Sequence, residues 1–296
     1  GKQNEIPLTE RRQKAYRFNG QILKTSYPAP TNVTVRIFDH AGKLNLQRLS
    51  TPQMRDLLEK RIGNDPEQLD ALLDVWQDWI DRDDLKRANG AEKDYYEKLT
   101  PPYEPRNGML ETVEELRLIK GFDEAFEGVN LEAALTVYSN QSGINPNLAT
   151  REALQLLPGL DDNTIDTILT KRREKDLKNF LDFNEFMEPE QLARFQPWVN
   201  FTPGSIVYTI AIQVKEPQHS DNPDNNNNHV GQAETRAPPI KPAATISHKP
   251  DEPANPTAEE QPTTDNKEQH AYMVTMQFQG VNRAPKTFMV NPYGVL

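Results

Sequence analysis

The chain has 296 residues, with 34 basic and 44 acidic side chains, and its net charge at pH 7 is −10. A chain this acidic has no general electrostatic attraction to nucleic acid or to an anionic membrane surface. It contains no cysteine, which excludes disulfides, thiolate zinc sites and cysteine nucleophiles and fits an oxidising compartment. The length allows about two domains, and no apolar run approaches the ~18 residues of a membrane-spanning helix.

The N-terminal region is predicted to form an amphipathic helix followed by a strand. Apolar residues recur at helical spacing among basic ones over residues 8–24. Pro28 then ends any helix. Apolar and polar residues alternate over residues 32–38, which predicts a strand.

The pattern from Thr51 to about Lys175 is helical. Thr51 followed by Pro52 predicts an N-cap with proline at the first helical position. Pro66 predicts the start of another helix, and residues 112–118 predict a short helix that begins with a capping box.

A second helical module is predicted over residues 144–187, around the hairpin sequence Leu157–Leu160. This module looks like a helix-hairpin-helix unit, whose DNA-binding versions contact phosphate through backbone amides. In those versions a second glycine usually follows, but here Asp161 and Asp162 occupy its place and would repel phosphate. The compensating basic cluster is Lys171–Arg173. A packing module is the favoured interpretation, and a nucleic-acid-binding protein is the alternative.

Strands are predicted again near the C-terminus, on both sides of a long polar segment. Alternation predicts strands over residues 205–214, 272–278 and 287–290. Residues 216–270 contain no leucine, methionine or aromatic residue, so this segment is predicted to be disordered. We interpret it as an insertion in a surface loop of an antiparallel sheet, which costs little closure entropy.

Carboxylates are crowded into the segment that follows Trp76. The acidic residues there are Asp78, Asp81, Asp83, Asp84, Glu92 and Asp94. On a helix end, Asp78 and Asp81 would share one face because they are three residues apart. Hard oxygen ligands without histidine or cysteine favour calcium. The spacing is not that of an EF-hand loop, and the alternative is a solvated acidic turn that caps helices.

The sequence contains no recognisable catalytic motif. His40 follows Asp39, but no serine partner is identifiable by spacing, and the other four histidines lie in the predicted disordered segment. Nucleophile-elbow, P-loop and dinucleotide fingerprints are absent. A metal-dependent hydrolase built on the acidic loop (residues 78–92) is a further alternative, but no histidine or nucleophile lies near those acids. We therefore expect a protein that is not an enzyme.

Several short segments, taken in order, carry a family resemblance over residues 10–214 and, loosely, the last 26 residues. They are Asp39 with Lys43–Leu46, Asp78–Asp83, Gly90–Glu92 with Tyr95–Tyr96, Pro102–Asn107, Glu115–Leu116 with Lys120–Gly121, Ile144–Asn147 with Leu157–Gly159, and Ser205–Tyr208. In this order the chain resembles the K-type minor pseudopilins of type II secretion systems, general secretion pathway protein K.

This resemblance implies an α+β fold: a pseudopilin-like antiparallel sheet with an N-terminal helix and a large inserted helical domain. Two subdomains of the insert would resemble sterile-alpha-motif or helix-hairpin-helix bundles. The implied bounds are 1–50 for the N-terminal helix and first strands, 51–130 and 131–203 for the two helical subdomains, 204–215 with 271–296 for the returning strands, and 216–270 for the disordered insertion.

The resemblance also implies a structural role at the tip of the pseudopilus. The chain would bind the I-type and J-type minor pseudopilins, with the H-type and secreted substrates as further candidate partners, and would start or cap assembly. Family members are anchored in the inner membrane of Gram-negative bacteria by an N-terminal apolar helix. Because this chain lacks that helix, we expect it to be the periplasmic portion.

Calcium is associated with the helical domain of this family. The first candidate ligands are Asp81, Asp83, Glu92 and Asp94, and the second group is Asp78, Asp84 and Asn107. The family commonly has an acid directly after Gly-Ala-Glu, where this chain has Lys93. A lysine beside a cation site opposes binding, and Asp94 is the acid that would replace the missing one.

Overall fold

The structure, a computed structural model, describes residues 17–23, 32–214, 270–280 and 283–295. Its strands form one antiparallel sheet in the order β1-β2-β3-β4-β5. The strands are β1 (Asn19–Ile22), β2 (Val33–Asp39), β3 (Val207–Val214), β4 (His270–Gln277) and β5 (Lys286–Val295). The four strands predicted over 32–38, 205–214, 272–278 and 287–290 are confirmed as β2 to β5.

A long helical insert separates β2 from β3 in the chain. Its α-helices are α1 (Thr51–Ile62), α2 (Pro66–Ile80), α3 (Lys93–Tyr96), α4 (Phe122–Ala125), α5 (Leu131–Ala134), α6 (Arg151–Leu156), α7 (Asp162–Glu174) and α8 (Pro189–Phe195). Short 3-10 turns lie at His40–Gly42, Leu46–Arg48, Glu114–Leu118, Phe180–Asp182 and Gln196–Trp198. Although the insert lies between them, β2 and β3 pair along their whole length, from Val33 with Val214 to Asp39 with Tyr208. The expected α+β class, an antiparallel sheet with a helical insert, is confirmed.

The predicted N-terminal helix is wrong where the structure describes it. Asn19–Ile22 forms β1, and Asn19 pairs with Phe38 of β2. Gly20 has a φ of +82°, and a side chain there would meet the Phe38 ring at 2.3 Å. Pairing with a neighbouring strand overrides the local helical period. Residues 8–16 and 24 of the predicted helix lie outside the described residues, as do residues 216–269 of the predicted disordered segment.

Two of the predicted helix starts follow the local sequence, whereas residues 112–118 form only a 3-10 helix, Glu114–Leu118, without the predicted side-chain cap. Ser50, not Thr51 as predicted, caps α1, since its hydroxyl accepts from the Gln53 backbone N–H and the Gln53 side chain returns to the Ser50 N–H. This reciprocal pairing is the capping box, and it decides the first residue of the helix. Pro66 begins α2, as predicted, behind an Asp65 cap.

The largest apolar core lies inside the helical insert, where Trp76, Trp79 and Trp198 are all buried. A smaller cluster on the sheet contains Phe38, Ala211, Ala271 and Met273. Sheet and insert belong to one compact unit. None of the helices in the described ranges has both the length and the apolar surface that a membrane crossing requires. The insert core is what fixes the end of α2, and with it the first carboxylate of the acidic segment.

Candidate functional site

Asp78 lies in the last turn of α2, among residues that pack into the core of the insert. Its side chain is completely buried (0% exposed) between the buried helix positions Trp76 and Trp79. Taking a carboxylate out of water costs several kcal/mol unless it is paired. Arg87 supplies the partner: its Nη1 lies 2.6 Å from Asp78 Oδ1, and its backbone N–H donates to Asp78 Oδ2 at 3.2 Å.

Arg87 also binds a second carboxylate through the same nitrogen. Its Nη1 also lies 2.5 Å from Asp81 Oδ2. These two hydrogen bonds raise the pKa of the guanidinium, so Arg87 remains charged. The guanidinium therefore bridges two acids that lie at the end of one helix. The other oxygen of Asp81 is buried and has no hydrogen-bond partner.

Gly90 allows the loop to close against Asp78. A Cβ at this position would lie 1.8 Å from Asp78 Oδ2, closer than any side chain can approach. The Gly90 N–H donates to the Arg87 carbonyl at 3.1 Å, which makes the turn. Glycine is therefore required at this turn because the backbone approaches a fixed carboxylate.

Glu92 is the least satisfied acid of the segment. It is 3% exposed, and neither of its carboxylate oxygens has a hydrogen-bond partner. Burial, and then the charges of Asp78, Asp81, Asp84 and Asp83, raise the pKa of Glu92 to about 7. A buried carboxylate surrounded by other acids favours a proton or a bound cation.

Asn107 joins the loop from a later part of the chain. Its Nδ2 donates to Asp84 Oδ1 at 2.9 Å, while its own Oδ1 is buried without a partner. Its backbone is left-handed, with a φ of +50°, a conformation that asparagine tolerates better than most residues. Asp83 is used locally, since its Oδ1 accepts from the Leu85 N–H at 2.9 Å.

Asp94 has a different environment from the other candidate ligands. It is exposed, and its nearest described charge partner is Lys98 at 3.9 Å. Lys93 also faces away, with its Nζ 2.7 Å from Glu104 and 3.5 Å from Glu97. Lys93, which was expected to oppose a cation, is therefore paired with Glu104 and Glu97. Asp94, which was expected to act as a ligand in its place, lies beside Lys98.

The donor types in this loop suit calcium. The oxygens without partners are Asp81 Oδ1, both carboxylate oxygens of Glu92, and Asn107 Oδ1. All are hard oxygens, the kind that calcium takes. In the described part of the chain, however, no three carboxylate or imidazole side chains converge closely enough to hold a metal ion. The residues present fit calcium by their chemistry, while their arrangement fits the guanidinium of Arg87. The sequence analysis missed Arg87, because nothing in the sequence distinguishes it from its basic neighbours Arg82 and Lys86.

Two backbone carbonyls of the hairpin at Leu157–Leu160 accept hydrogen bonds from inside the protein. Lys60 of α1 donates to the carbonyls of Leu157 and Leu160 at 2.6 and 2.9 Å. Burial lowers the pKa of Lys60 to about 8. Gly159, with a φ of +82°, lies against α8, where a Cβ would meet the Gln191 carbonyl at 2.7 Å. The hairpin is enclosed by two helices at the place where a phosphate would approach.

The basic residues near this hairpin are also used internally. Arg172 is buried and donates to the carbonyls of Pro146 and Ala149 at 2.9 and 2.6 Å. Lys171 pairs with Glu185 at 2.8 Å. Asp161 caps α7 by accepting from the Thr164 N–H at 2.7 Å. These contacts agree with a packing module and leave little positive charge for a phosphate backbone.

His40 links the insert to the sheet. Its Nδ1 lies 2.7 Å from the Thr136 hydroxyl, and its Nε2 lies 2.8 Å from the Thr209 hydroxyl. Burial, and then the charge of Lys43, hold the pKa of His40 well below its ordinary value, so the ring is neutral. Both ring nitrogens are engaged with threonines, and this arrangement fits a structural residue.

Comparison with known proteins relates the chain to one family. The family model for type II secretion system protein K matches residues 41–140, which include the whole acidic loop and Asn107. The type II secretion system protein K of Pectobacterium carotovorum subsp. carotovorum is 37% identical over 71 residues, 24% of this chain and 22% of the relative. That of Aeromonas hydrophila is 30% identical over 172 residues, 49% of this chain and 51% of the relative. That of Pseudomonas aeruginosa is 26% identical over 190 residues, 61% and 56%.

The fold also has a counterpart among solved structures. A chain in the crystal structure of the GspK-GspI-GspJ complex from the enterotoxigenic Escherichia coli type 2 secretion system superposes with a TM-score of 0.52. The match covers 94% of this chain and 88% of that chain, at 12% sequence identity. At this identity the likeness concerns the fold alone. The three protein K relatives are matched over 22% to 56% of their own length.

Proposed function

We propose that the chain is a minor pseudopilin of the type II secretion system protein K family and that it forms a ternary complex with the I-type and J-type minor pseudopilins. The observation that carries this proposal is the family match over residues 41–140. The fold likeness to a chain of the GspK-GspI-GspJ complex supports it. Such a protein functions in assembly, which requires no catalytic residue.

The way the insert is attached to the sheet suits a steric role. Asp39, the last residue of β2, accepts from the Ala41 N–H at 2.8 Å and from the Ser205 N–H at 3.0 Å. This carboxylate therefore ties both ends of the insert together where they meet the sheet. A bulky insert held in this way would block addition of a further subunit on its own side. We propose that the chain starts or caps the pseudopilus at its tip.

The proposed location is the periplasm, at the inner membrane, which is consistent with the secretion family. The H-type minor pseudopilin and secreted substrates are further proposed contacts. They follow from the same tip position, where a subunit meets both the fibre and its cargo.

We further propose that the acidic loop binds calcium. Asp81, Glu92 and Asn107 would supply the oxygens that have no partner. Asp78, Asp83 and Asp84 add negative charge around them. A bound ion would hold the end of α2 to the segment near Asn107 and would stiffen this side of the insert. Asp94, which lies beside Lys98, is not part of the proposed set.

The experiment for the assembly proposal is size-exclusion chromatography with light scattering. The chain is mixed with the ectodomains of the I-type and J-type pseudopilins of the same organism, in excess calcium and in chelator. We expect one stable particle with the mass of a one-to-one-to-one complex. The two partner ectodomains without this chain are the control. A chain that elutes as a monomer in both buffers would contradict the proposal.

A further inference from the structure

The acidic loop already contains a cationic group, the guanidinium of Arg87. A single nitrogen of Arg87 contacts both Asp78 and Asp81, the two acids at the end of α2. Asp78 has no exposed surface at all. Without the guanidinium its charge would be buried with no cationic partner among its described contacts, which would strongly destabilise the helix end.

Arg87 leaves the rest of the loop unsatisfied. Its guanidinium contacts one oxygen of Asp81, while the second oxygen of Asp81 and both oxygens of Glu92 have no partner. One positive charge thus faces at least three carboxylates that influence one another electrostatically. The loop retains a surplus of negative charge that the arginine cannot neutralise.

A guanidinium and a calcium ion require different geometries of the same acids. Calcium requires six to eight oxygens at about 2.3–2.6 Å from one point, whereas the planar guanidinium directs separate N–H groups to separate acceptors. Asp78 and Asp81 now bond to the nitrogen of Arg87, and no three acids of the described residues converge on one point. While Arg87 stays, an ion could reach only the four free oxygens of Asp81, Glu92 and Asn107, fewer than the six to eight that calcium takes. The carboxylate oxygens of Asp78 and Asp81 that Arg87 holds become available only when the guanidinium leaves.

The Arg87 side chain can reach solvent from the acidic loop. Its side chain is 37% exposed, whereas that of Asp78 is fully buried. Its backbone N–H contacts Asp78 Oδ2 independently of the guanidinium. The side chain can therefore leave for solvent while the loop backbone stays attached to Asp78.

We propose that Arg87 is a built-in competitor of the divalent cation. It holds the acidic loop closed when no ion is bound, and its guanidinium leaves Asp78 and Asp81 when the ion enters. This inference rests on the proposed calcium site. The affinity of the chain for calcium is then set by an exchange of cations, and is lower than the acids alone would give.

The test compares two variants that change the net charge equally. Arg87→Gln removes the competitor, and Arg82→Gln removes an exposed arginine of the same loop. Calcium binding is measured by isothermal titration calorimetry on the chain without its partners. We expect Arg87→Gln to bind calcium at least about tenfold more tightly than the wild type, because it loses a contact charge. We expect Arg82→Gln to remain within about threefold of the wild type, since exposed charges are screened.

A second variant covers the case in which Arg87→Gln does not fold without calcium. Arg87→Lys keeps a positive charge, but its ammonium is a more strongly hydrated charge on a flexible stem, so it should hold the two carboxylates less well than the guanidinium does. We expect its calcium affinity to lie between those of the wild type and Arg87→Gln. Its melting temperature in chelator should also lie below that of the wild type.

Three results would overturn the inference, and they differ in what they leave standing. Equal affinities of the wild type and Arg87→Gln would remove the competition but keep the calcium site. Weaker binding by both Arg87 variants would mean that the arginine supports the ion. Absence of binding in all of the proteins would remove the calcium proposal as well. None of these results bears on the ternary complex, which is measured separately by chromatography.

Discussion

The acidic loop after α2 and the hairpin between α6 and α7 are both short polar connections, but their polar groups have different fates. In the hairpin, Lys60 donates to two carbonyls and Asp161 caps α7. In the acidic loop, Glu92 and Asn107 keep buried oxygens without partners. An unpartnered buried polar atom costs about 1–3 kcal/mol. The named polar groups of the hairpin are therefore paired within the protein, whereas the acidic loop keeps buried oxygens that a ligand or a proton could take.

The difference does not lie in the number of acids. Both connections contain a pair of adjacent aspartates, Asp83-Asp84 and Asp161-Asp162. Asp161 sits at the start of a helix, where backbone N–H groups stabilise negative charge and lower the pKa of its carboxyl. Glu92 is buried beside other acids, and its pKa is raised instead. The two regions differ in the groups that surround their acids. Four experiments test this difference.

The largest expected effect is in the hairpin. Gly159→Ala combines a left-handed backbone with a contact of 2.7 Å to the Gln191 carbonyl. We expect the free energy of unfolding to fall by about 3–5 kcal/mol, and added calcium should not restore it. Chemical denaturation of both proteins measures the difference.

Gly128→Ala is the matched control for this substitution. Gly128 has a similar φ, +73°, but a Cβ added there would have nothing within 4 Å. Its cost should be about 1–2 kcal/mol, the backbone strain alone. Equal losses at the two glycines would mean that the enclosure of the hairpin by α8 contributes nothing.

The next effect concerns Glu92 and has the opposite sign. Glu92→Gln removes a buried charge that has no partner, so we expect the unfolding free energy without calcium to rise by about 2–3 kcal/mol near pH 8. The same substitution should abolish stabilisation by calcium. Thermal unfolding in chelator and in calcium measures both effects.

Asp94→Asn is the control for Glu92→Gln. Asp94 is exposed beside Lys98, so we expect a change within about 0.5 kcal/mol and an unaltered calcium response. Loss of calcium stabilisation in this variant would return Asp94 to the ligand set and contradict the separation between the loop and α3.

A smaller effect is expected from pH alone. The pKa of Glu92 is raised from 4.5 to about 7 in the folded chain, so protonation favours the folded state. Without calcium, the Glu92 contribution to stability should increase by about 2 kcal/mol from about pH 8 to about pH 5.5. It is lost as pH rises through 7. The difference between the wild type and Glu92→Gln, measured by denaturation across this range, isolates it.

Calcium should reverse this pH dependence. The ion binds the ionised carboxylate, so with calcium present the stability should fall as pH falls. A wild type and Glu92→Gln pair whose difference is constant with pH would show that Glu92 is not perturbed in the folded chain.

Much of the sheet could be predicted because residue types alternate along its strands, although in β3 the buried face is Val207, Thr209, Ala211 and Gln213 and the more apolar face is the more exposed one. Apolar and polar residues alternate in β2 and β3, and this period is legible in the sequence alone. β1 was missed because only four residues form it, and its partner lies across the Gly20 contact with Phe38. Such a pairing has no local signal in the sequence.

The candidate site could be predicted only in part. The crowding of acids after Trp76 was visible, but Arg87 reaches Asp78 and Asp81 only because Gly90 lets the loop close. Asp94 was chosen for its nearness to Glu92 in sequence. Glu92 is the N-cap of α3 and Asp94 is its second residue, and residues two apart on a helix do not face each other.

The most direct test of a ligand-completed acidic loop is amide hydrogen exchange of the wild-type chain with and without calcium. We expect slower exchange over residues 78–92 and around Asn107 when calcium is added, with the Leu157–Leu160 hairpin unchanged. Unchanged exchange in the acidic loop, or a calcium response in the hairpin, would contradict the claim that only the first of these regions is completed by a ligand.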